Sequence, residues 1–523
     1  MRATFLTIAF FCSLGSIKAQ SLDPTFGAGG TQQYDLSGSD RLFGVAVRPD
    51  GKIVACGLRD SVGIAHFMVC RFDVNGNLDP TFGSGGHVML PTGTNGSEAT
   101  RIILMPDGRM VVAGRTFGTV DRAFIVRRLL PDGAVDASFG VNGLWMDPIG
   151  ANGAYITDMA MDTQGRVVVA GVAVATNLFA TMAVVRLGTN GIPDPTFGNN
   201  GYFRLDQSDQ VRFHFLNDLQ LLSDGRMLIA GNVGDMTTGP AWNTDVLCIR
   251  LLANGQYDTT FGNNGVVVSD IQGLNDGADR IILHANNEVE LIGTSGNNSI
   301  GNWVCRNKLS ATGAVLSSDL VPVGAWAPAT QTKEIADIVA MPNGGVSYIG
   351  TVPNGGTGDG FLGMLDATAM VGIPYVAGYS TTVDAGDWTS FAGGVFDANG
   401  RLLLVGQTTN PDWIGQFPDQ CGVFTDIFLA RFNMPFTTHV ATATSNETRV
   451  WPIPATDRLL VSSALPILRI QLTDNAGRSV YTGERPSVTN SHSLDVFALP
   501  AGTYQLRVET IEAVTIHKVM VQH

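Results

Sequence analysis

Short apolar runs alternate with turn signals along most of this chain, and one run keeps returning. RPDGKIVACG, ending at Gly57, comes back as MPDGRMVVAG (Gly114), DTQGRVVVAG (Gly171), LSDGRMLIAG (Gly231), HANNEVELIG (Gly293), MPNGGVSYIG (Gly350) and DANGRLLLVG (Gly406). Successive glycines lie 57, 57, 60, 62, 57 and 56 residues apart. The first unit divides at its own punctuation. TQQYDL (31–36) is a short, polar, alternating strand, and LFGVAV an apolar one that stops at Arg48-Pro49-Asp50-Gly51. There Pro presets φ and Gly takes the positive-φ place of a tight turn. KIVACG is then continuously apolar, as a strand buried on both faces reads, and FMVCRF (67–72) follows it.

Four antiparallel strands recurring with a period of about 57 residues predict a β-propeller, and seven copies predict seven four-stranded blades over residues 21–436. The last unit ends with IFLARF (427–432) and no further outer strand follows, while TQQYDL is left over at the start. Residues 31–36 are therefore expected to complete the last blade, so that no sheet edge stays open.

Two more lines repeat. LDPTFGAGG (22–30) returns as LDPTFGSGG, VDASFGVNG, PDPTFGNNG and YDTTFGNNG, and a cation stands five residues before a turn glycine at Arg71, Arg128, Arg186, Arg250 and Lys308. Asp23, Asp79, Asp136, Asp194 and Asp258 read either as a ring of calcium ligands or acids, or as turn caps. A catalytic group is needed once, whereas a residue present in every blade holds the blade. The structural reading is favoured, with Phe26, Phe82, Phe139, Phe197 and Phe261 plugging the gaps between neighbours. The pairing of DPTFGxxG with PDGKIVVAG-like lines resembles the delta-60 repeat family of bacterial β-propellers. The likeness is strong in repeats one to four, and implies the fold without a general catalytic activity.

Composition narrows the class. The 523 residues carry 44% hydrophobic and 15% charged residues with 63 glycines, the profile of a turn-rich β protein. Residues 1–20, MRATFLTIAFFCSLGSIKAQ, read as a secretory signal peptide. Without Arg2 and Lys18 the chain has 30 basic against 46 acidic residues, a net charge near −16. That excludes nucleic acid as a partner, since phosphate binding needs clustered Lys and Arg. No later stretch reaches the ~18 apolar residues of a membrane helix. The chain reads as a monomer. Cys56, Cys70, Cys248, Cys305 and Cys421 are odd in number and far apart, with no metal-ligand spacing. Cys56 and Cys70 on successive strands allow a disulfide, although buried small apolar side chains are the simpler reading.

Composition changes after Phe436. Residues 437–449 form a Thr/Ser/Ala linker, and 450–523 hold alternating strands around the DNAG turn, expected as a small β-sandwich. The Trp451-Pro452-Ile453-Pro454 entry, DNAGRSVY, LPAGTYQLRV and Lys518-Val519-Met520-Val521 resemble the type A C-terminal sorting domain of the type IX secretion system. Ile453 departs from the family, which usually has Asn there. The resemblance implies the type IX machinery as partner and a destination outside the outer membrane of a Gram-negative bacterium, with the domain removed and the protein released or anchored.

No HExxH, GxSxG, phosphate loop or dinucleotide fingerprint occurs. In each unit the PDG and DPTFG turns share one face, and the loops of variable length share the other. Trp242, Trp326, Trp388 and Trp413, with Phe417, fall in those variable loops, as do Asp235, Asp245, Asp384, Asp387, Asp412 and Asp419. Tryptophan there either lids its own blade or offers a platform for sugar or a protein partner. The reading carried forward is a non-catalytic surface propeller binding glycan or protein through this face. The alternative is a polysaccharide hydrolase or lyase using acids such as Asp387 and Asp412. No cofactor is expected, calcium being the one that the acids leave open.

Overall fold

The structure, a computed structural model, describes residues 21–434 and 449–521, except 175–179, 206–211, 236–242, 323–333, 366–388, 410–424, 452–457, 485–490 and gaps of four residues or fewer. The chain divides into two compact units, Met1–Pro435 and Phe436–His523. Every regular element among the described residues is a strand.

In the first unit the described strands form seven sheets. Blade 1 is Ser39–Val47, Ile53–Ser61, Ile64–Phe72 and His87–Leu90, paired antiparallel in that order. Blades 2, 3 and 4 repeat it over 97–147, 154–204 and 212–269, blade 5 covers 275–322, and blade 6 has three described strands between Glu334 and Leu365. The first strands touch in a cycle, each packing on the next, with Thr389–Phe396 of blade 7 returning to Ser39–Val47. They are the inner strands of a closed ring.

Blade 7 borrows its outer strand. Thr31–Tyr34 pairs with Ala430–Ile427, and Ser21–Leu22 extends the same edge against Asn433 and Phe432. The latch thus has two pieces, one on each side of the first DPTFG turn. An apolar core fills each junction between blades. Ile53 and Cys70 meet Leu403 and Ile427 where blade 7 closes on blade 1, as Val111 and Phe124 meet Val167 and Val185 between blades 2 and 3.

The repeat-defining glycine has a steric cause. A Cβ on Gly57, Gly114, Gly231 or Gly406 would lie 1.8–1.9 Å from a carbonyl oxygen of the inner strand. That carbonyl is pressed inward by a β-bulge, where register shifts between Leu42/Gly44, Ala99/Arg101, Leu216/Asp218 and Phe391/Gly393. Only glycine leaves room.

Cys56 and Cys70 are free thiols, as are Cys248 and Cys305, and all four are buried. Ala55, not Cys56, stands opposite Cys70 in the ladder, so the two side chains leave the sheet on opposite faces. Burial pushes the Cys56 thiol up to about 12, so it is inert.

The second unit has two sheets. Arg449–Trp451, Arg458–Ser462 and Ser491–Asp495 form one, and Ser479–Glu484, Ile467–Asp474, Gly502–Thr510 and Val514–Val521 the other. Leu459, Val461 and Leu494 of the first pack with Ile470, Leu472, Leu506 and Val519 of the second in one buried cluster, a small sandwich.

Candidate functional site

The two faces of the ring differ in what holds them. On the face of the PDG and DPTFG turns, one clasp is built five times. Asp23, Asp79, Asp136, Asp194 and Asp258 each accept, through Oδ1, the backbone N–H and the hydroxyl of the Thr or Ser two residues on. Each Oδ2 accepts from an arginine Nε at 2.7–2.9 Å: Arg431, Arg71, Arg128, Arg186 and Arg250 respectively. The guanidinium lies 4.4–4.8 Å above Phe26, Phe82, Phe139, Phe197 or Phe261. Its Nη1 reaches a carbonyl of the following blade, at Val74, Pro131, Thr189, Ala253 or Ala311. One side chain thus fixes its own turn, stacks on the plug and ties two blades, which a planar five-donor guanidinium can do and an ammonium cannot. In blade 5, where the next DPTFG line is lost, Lys308 pairs with Glu288 instead.

A second cation on the same carboxylate was missed from sequence. Lys52, Arg109, Arg166, Arg226 and Arg401 reach Asp79, Asp136, Asp194, Asp258 and Asp23 at 2.7–3.2 Å. The signal was present: each stands directly after a turn glycine, in PDGK, PDGR, TQGR, SDGR and ANGR. Burial alone would raise these aspartates. Hydrogen bonds from the Thr or Ser and from the two cations outweigh it, and bring Asp258 down to about 2.

A second ring lies on the inner strands. The residue after each bulge is paired with the residue before the repeat glycine. Around the ring it is Gly44, Arg101, Asp158, Asp218, Arg280, Asp337 and Gly393. Arg101 Nε donates to Asp158 at 3.3 Å, Arg280 Nη1 to Asp218 at 2.9 Å, and Arg280 also pairs with Asp337. Asp158 accepts the N–H of Leu219 in blade 4, and Asp218 that of Ile281 in blade 5, at 2.9 and 2.7 Å. Burial, with Asp158 beside it, pushes the Asp218 carboxyl up despite Arg280. These carboxylates are spent on joining blades.

On the opposite face the described acids include Asp245, Asp270 and Asp276, each with a carboxylate oxygen within 4.8 Å of the others'. They come from the third strand of blade 4, the residue after its outer strand, and the first strand of blade 5. Of these, only Asp245 had been singled out from sequence. Trp242, Trp326, Trp388, Trp413 and Phe417 lie outside the described residues, as do Asp384, Asp387, Asp412 and Asp419. The ladders that flank two of those loops end at Asp235 with Asn243 and at Thr409 with Thr425, on the face away from the clasps.

Opposed shifts predict a bell-shaped pH dependence of stability. The five clasp aspartates are held below the unfolded carboxyl near ~3.9, so their stabilisation is full above that pH and is lost as pH falls below it, through about 2 for Asp258. Asp40, Asp276 and Asp279, pushed up to about 6 chiefly by burial, bind their protons more tightly when folded, so stability declines as pH rises from ~3.9 through about 6. Melting temperature in metal-free buffer should peak between these limits, and Asp40→Asn should flatten the alkaline side. A steady rise from pH 4 to 8 would contradict the assignment.

The frame is that of a repeat β-propeller followed by a sorting domain. Residues 48–82, 106–139, 165–197 and 222–261 match the domain of unknown function (DUF5122) beta-propeller, and residues 449–522 the secretion system C-terminal sorting domain. The chain therefore carries a DUF5122 propeller repeat region and ends in a type IX sorting domain. That domain makes it a secreted or surface-attached protein of a Gram-negative bacterium. Each matched stretch runs from about a PDG-type turn to the next DPTFG-type line. No curated protein matches. Among solved structures, the polysaccharide lyase Uly1 is similar at 11% identity and a TM-score of 0.44, over 76% of this chain and 90% of that one. The Chaetomium thermophilum Sqt1 bound to the N-terminus of ribosomal protein L10 gives 13%, 0.40, 72% and 96%. The Penicillium chrysogenum alpha-L-arabinanase complexed with arabinobiose gives 10%, 0.36, 63% and 91%. No helix among the described residues is long and apolar enough to cross a membrane.

Proposed function

We propose that this exported propeller binds a glycan or a protein through its variable-loop face and does no chemistry there. The observation that carries the reading is the contrast between the faces. One face spends its charged residues on the same clasp in five junctions, so it differs little from blade to blade. Sequence individuality, including Trp242, Trp326, Trp388, Trp413 and Phe417, falls in the stretches of variable length that the repeat pattern assigns to the other face, and these five residues lie outside the described ones. Rigid scaffold with variable, aromatic loops is how recognition surfaces are commonly built. Of the acids on the inner strands, Asp158 and Asp218 are engaged by arginines and by backbone N–H groups of neighbouring blades, which leaves neither free for acid or base chemistry.

A glycan array probed with the purified chain tests this. Retention of one class of glycan is expected, weakened at least ~10-fold in Trp413→Ala and Trp388→Ala, the loss of one or two stacking platforms. Equal retention by wild type and both variants would remove the loop face from the account.

A further inference from the structure

We propose that Asp245, Asp270 and Asp276 form a calcium site at the junction of blades 4 and 5, on the variable-loop face. The inference does not depend on what that face binds.

Three carboxylates converge there from three separate strand ends, and the closed ring alone brings them together. Asp276 is the informative member. It is 1% exposed, and its Oδ2 accepts the N–H of Ile271 at 2.7 Å, while Oδ1 makes no hydrogen bond of good geometry and has only the Ser295 hydroxyl near it. Ser295, directly opposite it in the ladder, is equally buried, and its Oγ makes no hydrogen bond of good geometry. Burying a carboxylate costs several kcal/mol unless opposite charge or full hydrogen bonding compensates. Elsewhere in this propeller, Asp79 meets Arg71 and Lys52, and Asp218 meets Arg280. Around Asp276 the carboxylates of Asp270 and Asp245 converge instead, with an oxygen of each within 4.8 Å of the others'. A site that gathers negative charge in this way is explained by a cation.

The spacing selects the ion. Oxygens on opposite sides of calcium, at Ca–O distances of ~2.4 Å, stand up to ~4.8 Å apart, and the carboxylate oxygens here all lie within 4.8 Å of one another. Magnesium, at ~2.1 Å, demands a tighter octahedron and gives up its waters reluctantly. Three carboxylates and a serine hydroxyl are hard oxygen donors, and among the described residues no sulfur or imidazole belongs to the group, which disfavours zinc or copper. A bound ion would fix the 270–276 connection, which leads from the outer strand of blade 4 to the first strand of blade 5.

The test uses the full-length chain, stripped with EDTA and exchanged into metal-free buffer, and titrated with CaCl2 alone by calorimetry and by melting temperature. One calcium per chain is expected, with a Kd in the ~0.1–1 mM range of extracellular modules or tighter. Melting temperature should then rise with the logarithm of calcium concentration, and MgCl2 should do markedly less. Asp270 is exposed, so Asp270→Asn should fold normally and weaken calcium binding at least ~10-fold. Asp276→Asn removes a buried charge. It should therefore melt no lower than wild type without metal, yet lose the calcium response. No heat and no thermal shift up to about 10 mM calcium would overturn the proposal. So would an undiminished response in both folded variants, since the ion would then sit elsewhere.

Discussion

A chain that begins at Ser37 is expected to open. Removing residues 21–36 takes Thr31–Tyr34 and Ser21–Leu22 away from Thr425–Asn433, which becomes an exposed edge strand. It also deletes Phe26, which is fully buried, and leaves Arg431 without Asp23. Losing a buried Phe costs ~3–5 kcal/mol, and stranding one partner of a buried ion pair a similar amount. Together these should lower the melting temperature by roughly 10 °C or more. The open edge is a template for pairing with another chain, so gel filtration should show larger species than the intact protein gives. A truncated chain that stays monomeric and melts with wild type would mean that the ring closes by some other contact.

The second large effect is on destination. Removing residues 449–523 is expected to leave the propeller folded but to abolish its appearance at the surface and in the medium. The first expectation follows from the cores. The tail's buried cluster, from Leu459 to Val521, is made wholly of its own residues, so its removal leaves the cores between blades intact. The second follows from the sorting domain's identity. Fractionation by immunoblot against the propeller reads both, with protease resistance as the check on folding. Continued surface display of the truncated chain would detach export from the tail.

What the sequence reveals and hides follows from repetition. The blade, its PDG turn and the borrowed outer strand were legible because each recurs or is conspicuously left over. The clasp was half legible: Asp, Phe and the third-strand arginine repeat at fixed spacing, but their convergence on one carboxylate needs the fold. The inner ring was not legible at all. Its position is occupied by Gly44, Arg101, Asp158, Asp218, Arg280, Asp337 and Gly393, so no one residue type marks it from blade to blade, and the bulge that aims them leaves only the repeat glycine as a trace. Asp270 and Asp276 were hidden for a related reason. They belong to different blades, and nothing in the spacing of DIQGLND tells that Asp245 joins them. Trp242, Trp326, Trp388 and Trp413 show the converse: conspicuous in sequence, they fall outside the described residues.

The claim that joins these observations is that one face holds the ring while the other binds without cleaving. Its most direct test incubates the full-length chain with each polysaccharide retained on the array and measures, in one chromatogram, how much polymer is bound and its chain length. The account predicts polymer held at full length, and released by Trp413→Ala. Shortened products, abolished by Asp387→Asn or Asp412→Asn, would contradict it and make the loop face an active site.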